Sequence, residues 1–231
     1  MEFESLKGFR DFYPEEMSAR REVFDTVEET ARRYGFREIA TPSLESLELF
    51  EVKSGEEIVE ETYSFEDKGG RRVTMTPELT PSVARMFVAR QQEMSKPVKW
   101  FSVPKLWRYE QPQSGRLREF YQPNFDVFGS EDAAADAEVI ALAHDVLTQL
   151  GLGGEFVFRL SHRKIAQGVV ERFDLAEDDE AQVYRVIDKS ERLDEGEVSD
   201  RLDKIGLENE EIDEVVSLTR LGSRLGGEND F

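Results

Sequence analysis

The residue types best suited to chemistry are concentrated between Lys99 and Asp126. Positions 99–122 contain five basic and two acidic residues, in a 231-residue chain with 30 basic and 50 acidic residues overall. Because guanidinium groups bind phosphate oxygens in pairs, a local excess of arginine is typical of a polyphosphate site. The alternative is a solvated hairpin with ordinary ion pairs between its strands, and the charge pattern taken alone slightly favours it.

The second half of this segment has an alternating pattern. If residues 117–128 form a strand, every second side chain lies on the same face. That face would carry a cation, an aromatic ring, two amides and a carboxylate, in the order Arg118, Phe120, Gln122, Asn124 and Asp126. Such a row would meet a phosphate at one end and an ammonium group at the other.

A second polar cluster, residues 76–82, precedes a predicted helix. The carboxylate of Glu78 would lie close to the helix N-terminus, where the helix dipole stabilises a negative charge. Thr80 and Ser82 have the hydroxyl groups that commonly cap a helix. A purely structural role is therefore a strong alternative to a binding role for these residues.

Composition excludes several kinds of site. The chain has no cysteine, which excludes disulfides, thiolate nucleophiles and cysteine-ligated metals. It also lacks the glycine-rich phosphate loop, the GxGxxG dinucleotide motif and the GxSxG nucleophile motif. The two histidines, His144 and His162, do not form a zinc-binding HExxH motif, and we expect a structural role for both.

The net charge of −20 argues against a nucleic-acid partner in ordinary salt, because the phosphate backbone would be repelled. However, 21 arginines and only nine lysines beside so many acids favour a protein from a high-salt cytoplasm over an ordinary acidic protein. At molar salt the Debye length is about 3 Å, so a nucleic-acid partner is compatible with this charge. There is no apolar run of the roughly 18 residues that a membrane helix needs. The first residues also lack a signal-peptide pattern, and we expect a cytoplasmic protein with no membrane partner.

These residues need a fold that positions them. Apolar periodicity predicts helices over 15–34, 80–92, 133–150 and 163–173, and a short helix over 44–50. Strands are predicted at 36–41, at 62–65 and 71–75 around a glycine turn, and at 156–160 as a buried strand. The longest predicted pair is 98–108 with 117–128, joined by the loop 110–116. This pattern favours an α+β fold, with a mostly antiparallel sheet flanked by helices.

A change in composition divides the chain near residue 174. Residues 174–231 contain 19 acidic and seven basic residues and read as short amphipathic helices. We therefore expect a larger domain over 1–173 and an acidic helical subdomain, or insertion, over 174–231.

Four segments of the chain resemble the motifs of one enzyme family. Residues 108–110 (RYE) and 115–122 (GRLREFYQ) closely resemble motif 2 of the class II aminoacyl-tRNA synthetases, in their histidyl-tRNA synthetase form. Residues 7–14 (KGFRDFYP) are similar to the N-terminal signature of the family, and residues 34–42 (YGFREIATP) to motif 1, which builds the dimer interface. Residues 77–81 (PELTP) look like the histidine-binding loop. The resemblance covers residues 6–170 in the right order and outweighs the structural alternatives given above.

The resemblance implies a class II catalytic domain that is usually a homodimer. It implies that L-histidine attacks the α-phosphate of ATP to give histidyl-adenylate, and that the histidyl group then passes to tRNA(His). Arg108 would be the catalytic residue, binding the α-phosphate and the histidine carboxylate, while Mg²⁺ would bridge the ATP phosphates. The implied histidine-binding residues are Glu78, Leu79, Thr80, Arg108, Gln122 and Asp126, and the implied ATP-binding residues are Arg108, Glu110, Arg116 and Phe120.

Two positions differ from part of the family. Asp126 stands where some members have Glu, and Leu79 stands where some have Gly; both resemble the archaeal and eukaryotic branch. Motif 3, the Arg-Gly-Leu-x-Tyr-Tyr segment and the anticodon-binding domain of the family are not found. We therefore expect the front portion of a synthetase, inactive or nearly so by itself.

Two other functions are compatible with the sequence. The regulatory subunit of ATP phosphoribosyltransferase resembles this fold and binds histidine without charging tRNA. An acidic interaction protein with a decayed site is the second alternative. The presence of Arg108, Glu110, Arg116 and Arg118 favours ATP chemistry over both.

Overall fold

The computed structural model describes residues 3–54, 56–111, 115–158, 160, 163–173, 175–190 and 193–224. The chain forms two compact units, which divide between Gly153 and Gly154. This division precedes the boundary predicted at residue 174, because Val170 and Phe173 belong to the hydrophobic core of the second unit. The change in charge along the chain therefore does not coincide with the change in packing.

The first unit contains helices and short strands. The helices are α1 (Pro14–Arg33), α2 (Glu48–Ser54), α3 (Thr80–Arg90) and α4 (Ala133–Leu147), and the strands are β1 (Arg37–Glu38), β2 (Leu44–Ser46), β3 (Ser64–Glu66), β4 (Arg72–Met75), β5 (Val98–Ser102), β6 (Lys105–Trp107), β7 (Glu119–Tyr121) and β8 (Asn124–Phe128). Single helical turns follow α2, α3 and α4 at Glu56–Glu61, Gln91–Glu93 and Thr148–Leu152.

The strands pair mostly antiparallel, as predicted. Strand β5 lies between β1, to which it is parallel, and β8, to which it is antiparallel. Strand β4 lies between β2 and β3 and is antiparallel to both, and β6 pairs antiparallel with β7. The β3–β4 pair confirms the predicted hairpin, with Asp67 accepting hydrogen bonds from the backbone N–H groups of Gly69 and Arg71 in its turn.

Helix α1 follows from its local sequence and confirms the helix predicted over 15–34. Pro14 lies in its first turn with two glutamates, and Arg32 and Arg33 lie in its last turn, so that these charges complement the helix dipole. Gly35, with a φ of 78°, follows the helix in a backbone conformation that L residues with a side chain rarely adopt.

Helices α1 and α4 cover one face of the sheet β1–β5–β8. The core between them consists of Val27, Ala31, Phe36, Phe101, Leu142 and Val146, with Phe125 and Val127 of β8 packed against it. On the other face, Phe87 of α3 stacks on Phe128 at 4.5 Å between ring centroids. The alternate side chains of β8 that do not face α1 and α4 are those of Asn124, Asp126 and Phe128.

The long predicted pair, 98–108 with 117–128, is confirmed but interrupted. Strands β5 and β6 are separated at Pro104, and β7 and β8 at Pro123, because proline has no N–H to donate to a ladder. The register is nevertheless the same on both sides of the break, with Ser102 opposite Asn124 and Lys105 opposite Tyr121. The two halves therefore act as one bent hairpin.

Two predicted elements are wrong. Residues 44–50 were expected to be helical, but Leu44–Ser46 form β2, because they pair with β4, and α2 begins at Glu48. The buried strand predicted at 156–160 is absent among the described residues of that segment, where Val157 is 70% and Leu160 67% exposed. An apolar run forms a strand only when a neighbouring strand completes its hydrogen bonds.

The second unit is helical and contains α5 (Arg163–Val170), α6 (Glu177–Lys189), α7 (Glu195–Ile205) and α8 (Asn209–Arg224). Its amphipathic helices bury one hydrophobic core, which includes Ile212, Val215 and Val216. Helix α7 begins with a capping box of Asp194 and Glu197, as its sequence favours. Among the described residues of the whole chain, no helix is long and apolar enough to cross a membrane.

Candidate active site

Arg108 lies where the bent hairpin meets the loop that precedes α3. Its Nε donates a hydrogen bond to the carbonyl oxygen of Pro77 at 3.1 Å, and its guanidinium lies 5.5 Å from the ring centroid of Phe120. The side chain keeps 34% of its surface exposed. Arg108 is thus fixed on one side by protein and open on the other to an anionic ligand.

Backbone hydrogen bonds fix the loop before α3 against the sheet. The N–H of Trp107 donates to the carbonyl of Thr76 at 3.0 Å, and the N–H of Thr76 donates to the carbonyl of Ser43 at 3.1 Å. The Thr76 hydroxyl donates to the carbonyl of Pro42 at 3.2 Å. Thr76 and Pro77 are both buried, so the start of the loop is fixed against the sheet.

The three predicted histidine-binding residues of this loop differ in exposure. Leu79 is fully buried, Glu78 is half-buried, and Thr80 is exposed at the first position of α3. Leu79 can therefore shape the wall of a pocket from behind, whereas Glu78 and Thr80 present polar groups to a ligand. The structure brings this loop and Arg108 together.

Glu110 and Arg116 form a two-bond ion pair across the base of the hairpin loop. Arg116 donates through Nε at 2.5 Å and through Nη2 at 2.8 Å to the two carboxylate oxygens of Glu110. Nη1 of Arg108 lies 4.0 Å from the same carboxylate. Nε of Arg118 donates instead to the backbone carbonyl of Glu110 at 2.8 Å, so three guanidinium groups lie around one acidic residue.

The alternation predicted for residues 118–126 is confirmed. Phe120 shares a face with Arg108, and Nε2 of Gln122 donates to Oδ1 of Asn124 at 3.0 Å. Asp126 lies opposite Trp100 in the register of β5 and β8. Helix α3 contacts this face at Phe128, and Gln122, Asn124 and Asp126 are only half-buried on it, so a ligand can reach the row of polar groups.

Asp126 differs electrostatically from the other carboxylates of the site. Burial raises its pKa above the ordinary value for aspartate. Among the described residues it has no ion-pair partner, whereas Glu110 is paired with Arg116. An ammonium group from a ligand would supply the missing positive charge.

The sequence did not indicate that three aromatic side chains lie together on the same face of the sheet as Asp126. Phe87, Trp100 and Phe128 form one cluster, in which Trp100 lies edge-on to both other rings. In the sequence, Trp100 is only one residue of the basic segment. The pairing of β5 with β8, which puts Trp100 opposite Asp126, could have indicated its position. Of the two histidines, His144 is exposed on α4 beside Asp145, and His162 lies outside the described residues.

Two cavities in the described part of the chain differ in their position relative to these residues. A cavity of about 760 Å³ lies along β2 and β4 and is lined by residues such as Glu45, Glu51 and Arg72. A smaller one of about 200 Å³ borders the hairpin at Phe120 and Tyr121. The candidate site is instead an open face of the sheet.

Comparison with known proteins identifies the family of the chain. Residues 8–226 match the family model of histidyl-tRNA synthetase. The chain belongs to the histidyl-tRNA synthetase family. It is 60% identical over 206 residues to the histidine–tRNA ligase of Haloarcula marismortui, covering 89% of this chain and 47% of that relative. The chain thus spans about half the length of the curated relatives it matches.

Solved structures show the same fold for this member of the family. The histidyl-tRNA synthetase of Nostoc superposes with a TM-score of 0.80 at 24% identity, covering 94% of this chain and 48% of that one. A protein of Bacillus halodurans described as an ATP phosphoribosyltransferase regulatory subunit/histidyl-tRNA synthetase superposes with a TM-score of 0.81 at 22% identity, covering 94% and 55%. The predicted α+β synthetase fold is confirmed.

Proposed function

We propose that this chain forms the histidine- and ATP-binding part of a histidine–tRNA ligase. The observation that carries the proposal is the position of Arg108, which is bonded to the loop of Glu78 and Thr80 and lies over Phe120. A guanidinium at this point can contact a carboxylate on one side and a phosphate on the other.

In the proposed reaction, a carboxylate oxygen of L-histidine attacks the α-phosphorus of ATP, and pyrophosphate leaves with the bonding electron pair. Arg108 stabilises the negative charge that develops on the α-phosphate oxygens, in a position fixed before the substrates arrive. The α-ammonium group of histidine is held by Glu78, Thr80, Gln122 and Asp126, and Leu79 supports the pocket wall.

ATP binds along the hairpin loop in this proposal. Phe120 stacks on adenine, and Glu110 and Arg116 hold the nucleotide after their mutual ion pair has rearranged. Mg²⁺ would enter with ATP and offset the negative charge of its phosphates.

The remaining assignments rest on the family. The histidyl group passes from the adenylate to tRNA(His), and the segment 34–42 contributes to a homodimer. We also propose a cytoplasmic protein adapted to high salt, which is supported by the excess of acids and arginines and by the Haloarcula relative. The histidine-binding regulatory subunit is less well supported, because Arg108, Glu110 and Arg116 keep an arrangement suited to ATP.

The test is thermal unfolding of the chain in molar KCl with L-histidine, MgATP, both, and other amino acids. A ligand at 100 times its Kd stabilises the folded state by about 2.7 kcal/mol, which is a measurable shift. We expect histidine and MgATP to stabilise selectively, and Arg108→Ala to abolish the MgATP effect. Arg90→Ala, which removes an exposed arginine of α3, is the matched control.

The outcomes separate the candidate functions. Stabilisation by histidine alone would favour the regulatory subunit. If neither ligand shifts the unfolding of a folded sample, or if Arg90→Ala weakens MgATP binding as much as Arg108→Ala, the proposed function is contradicted.

A further inference from the structure

The N-terminal segment makes a tight turn against the hairpin loop. The N–H of Phe9 donates to the carbonyl of Leu6 at 2.9 Å, and Gly8, the third residue of this turn, has a φ of 87°. A positive φ at the third position is the geometry of a type II turn and favours glycine. A Cβ atom at Gly8 would lie only 2.8–3.0 Å from the side-chain carbons of Arg118. Both the backbone conformation and the available space therefore require glycine here.

Arg118 connects this turn to the proposed ATP-binding residues. Its N–H donates to the carbonyl of Gly8 at 2.8 Å, and its own carbonyl accepts from the N–H of Arg108 at 2.9 Å. Its Nε donates to the carbonyl of Glu110 at 2.8 Å. Arg118, which is half-buried, thus makes hydrogen bonds to Gly8 in the turn, to Arg108 and to Glu110.

Aromatic rings support Arg118 and Tyr109 at the other side of the hairpin loop. The guanidinium of Arg118 lies 4.4 Å from the ring centroid of Tyr109, which packs edge-on against Tyr63 at 5.1 Å. Tyr63 in turn contacts the ring of Phe9. The N–H of Tyr109 donates to the carbonyl of Glu61 at 2.9 Å. The base of the hairpin loop is therefore held on both sides, by the segment 6–9 and by the segment 61–63.

We propose that Gly8 and Arg118 are positioning residues for the nucleotide, which act through Arg108 and Glu110. The N-terminal turn holds Arg118, and Arg118 holds the two ends of the loop at the spacing that MgATP requires. This inference rests on the proposed function, since it concerns the same site. It assigns a role to the segment 6–9, whose residues have no place among the predicted binding groups.

The first experiment replaces Gly8 and uses a second glycine as control. Gly8→Ala introduces a Cβ in a left-handed conformation against the stem of Arg118, whereas Gly35→Ala introduces one in a similar conformation with no atom within 4 Å. Backbone strain is common to both variants, and pressure on Arg118 occurs only in the first. Calorimetry of the full chain in molar KCl would measure binding of MgATP and of L-histidinol, which lacks the carboxylate that Arg108 would bind.

We expect Gly8→Ala to raise the Kd of MgATP by about tenfold or more, because small displacements of positioned groups have large effects. The Kd of L-histidinol should change by less than about twofold in both variants, since among the described residues no hydrogen bond joins Thr80, Gln122 or Asp126 to the turn. Gly35→Ala should leave both affinities close to wild type. Equal losses for both ligands, or equal MgATP affinities in the two variants, would overturn the proposal.

A second measurement does not depend on ligand binding. Arg118→Lys keeps the charge and the backbone bonds but removes the Nε–H that binds the Glu110 carbonyl, and Arg90→Lys is its control. Amide hydrogen exchange should become faster at Arg108 and Arg118 in Gly8→Ala and at Arg108 and Tyr109 in Arg118→Lys, while β5 stays protected. Unchanged exchange at these amides would overturn the proposal. If the wild-type chain binds neither ligand, the proposed function fails, and the exchange rates alone decide whether the turn holds the loop.

Discussion

The two compact units build their cores from different elements. In the second unit, helices α5–α8 pack aliphatic side chains such as Leu202 and Val215 against one another. In the first unit, a sheet lies between α1 and α4 on one face and α3 on the other. Helices that bury one stripe leave their polar side chains in solvent, whereas a strand in a layered sheet presents every second residue to a partly covered face.

This difference accounts for the position of the candidate site. Gln122, Asn124 and Asp126 are all half-buried on the open face of the bent hairpin. In the second unit, the described acidic side chains are mostly exposed on helix surfaces, and Arg172 and Glu214 form an exposed ion pair there. A partly buried polar group has lost part of its hydration, and a ligand can replace the lost interactions. An exposed group is already hydrated by water.

The largest expected effect is on the second unit alone. Leu202 is fully buried in its core, and a Leu→Ala change at such a site costs about 2–5 kcal/mol. We expect Leu202→Ala to speed amide exchange throughout α6–α8 while the amides of β4 and β5 stay protected. Histidine and MgATP affinities should not change, because all the candidate site residues lie in the first unit.

Leu160→Ala is the matched control, because Leu160 belongs to the same unit and is largely exposed. Loss of protection in β4 and β5 together with α6–α8 would show that the two units unfold as one. The two units would then have no separate free energies of unfolding to compare.

Periodicity and turn chemistry predicted much of the fold. Helix α1, the β3–β4 hairpin and the amphipathic helices of the second unit follow from local patterns that tertiary packing reinforces. The failures concern segments whose state depends on distant partners. Leu44–Ser46 form a strand only because β4 lies beside them, and an apolar pattern at 156–160 could not specify a partner strand.

The candidate site was predicted in part for the same reason. Alternation placed Phe120, Gln122 and Asp126 on one face, since alternation is a local property. The bond between Arg108 and the Pro77 carbonyl, and the contact of Gly8 with Arg118, join segments that are far apart in sequence. Only the family resemblance indicated that the first of these pairs belonged to one site, and nothing in the sequence indicated the second.

The next largest expected effect concerns Asp126. Partial burial disfavours its negative charge, but the proposed binding of histidine needs that charge. Asp126→Asn removes the charge that would hold the histidine ammonium group, and a charge-assisted hydrogen bond of this kind is worth about 1.5–3 kcal/mol. We expect the Kd of histidine to rise by about tenfold or more. Calorimetry would measure it, with Glu131→Gln, which changes an exposed carboxylate nearby, as the control.

The same variant should not lose stability at neutral pH. The pKa of Asp126 is raised in the folded state, so the folded chain holds this proton more tightly than the unfolded chain does. Stability therefore falls as pH rises from the ordinary aspartate pKa through the raised value, and the asparagine variant lacks this loss. Unfolding curves between pH 3 and pH 7 should converge at low pH and favour the variant at pH 7. An unchanged histidine Kd, or a variant less stable at pH 7, would contradict the proposed role.

The smallest effect is the response of the two units to salt. Residues 1–153 contain 29 acidic and 19 basic residues, and residues 154–231 contain 21 and 11, so each unit has a net charge of −10. The second unit carries this charge on half as many residues. In the first unit, attractive pairs such as Arg72–Glu51 and Arg85–Glu45 are screened together with the repulsions.

We therefore expect KCl to stabilise the second unit more than the first, by a difference on the order of 1 kcal/mol. Amide exchange in α6–α8 and in β4–β5, compared at 0.1 M and 2 M KCl, would measure this difference. Sucrose at equal osmolality, which screens no charge, is the control. If KCl stabilises both units equally, or if sucrose reproduces the difference, then charge density does not determine how the two units respond to salt. Repulsion between acidic side chains would then not limit the stability of the second unit.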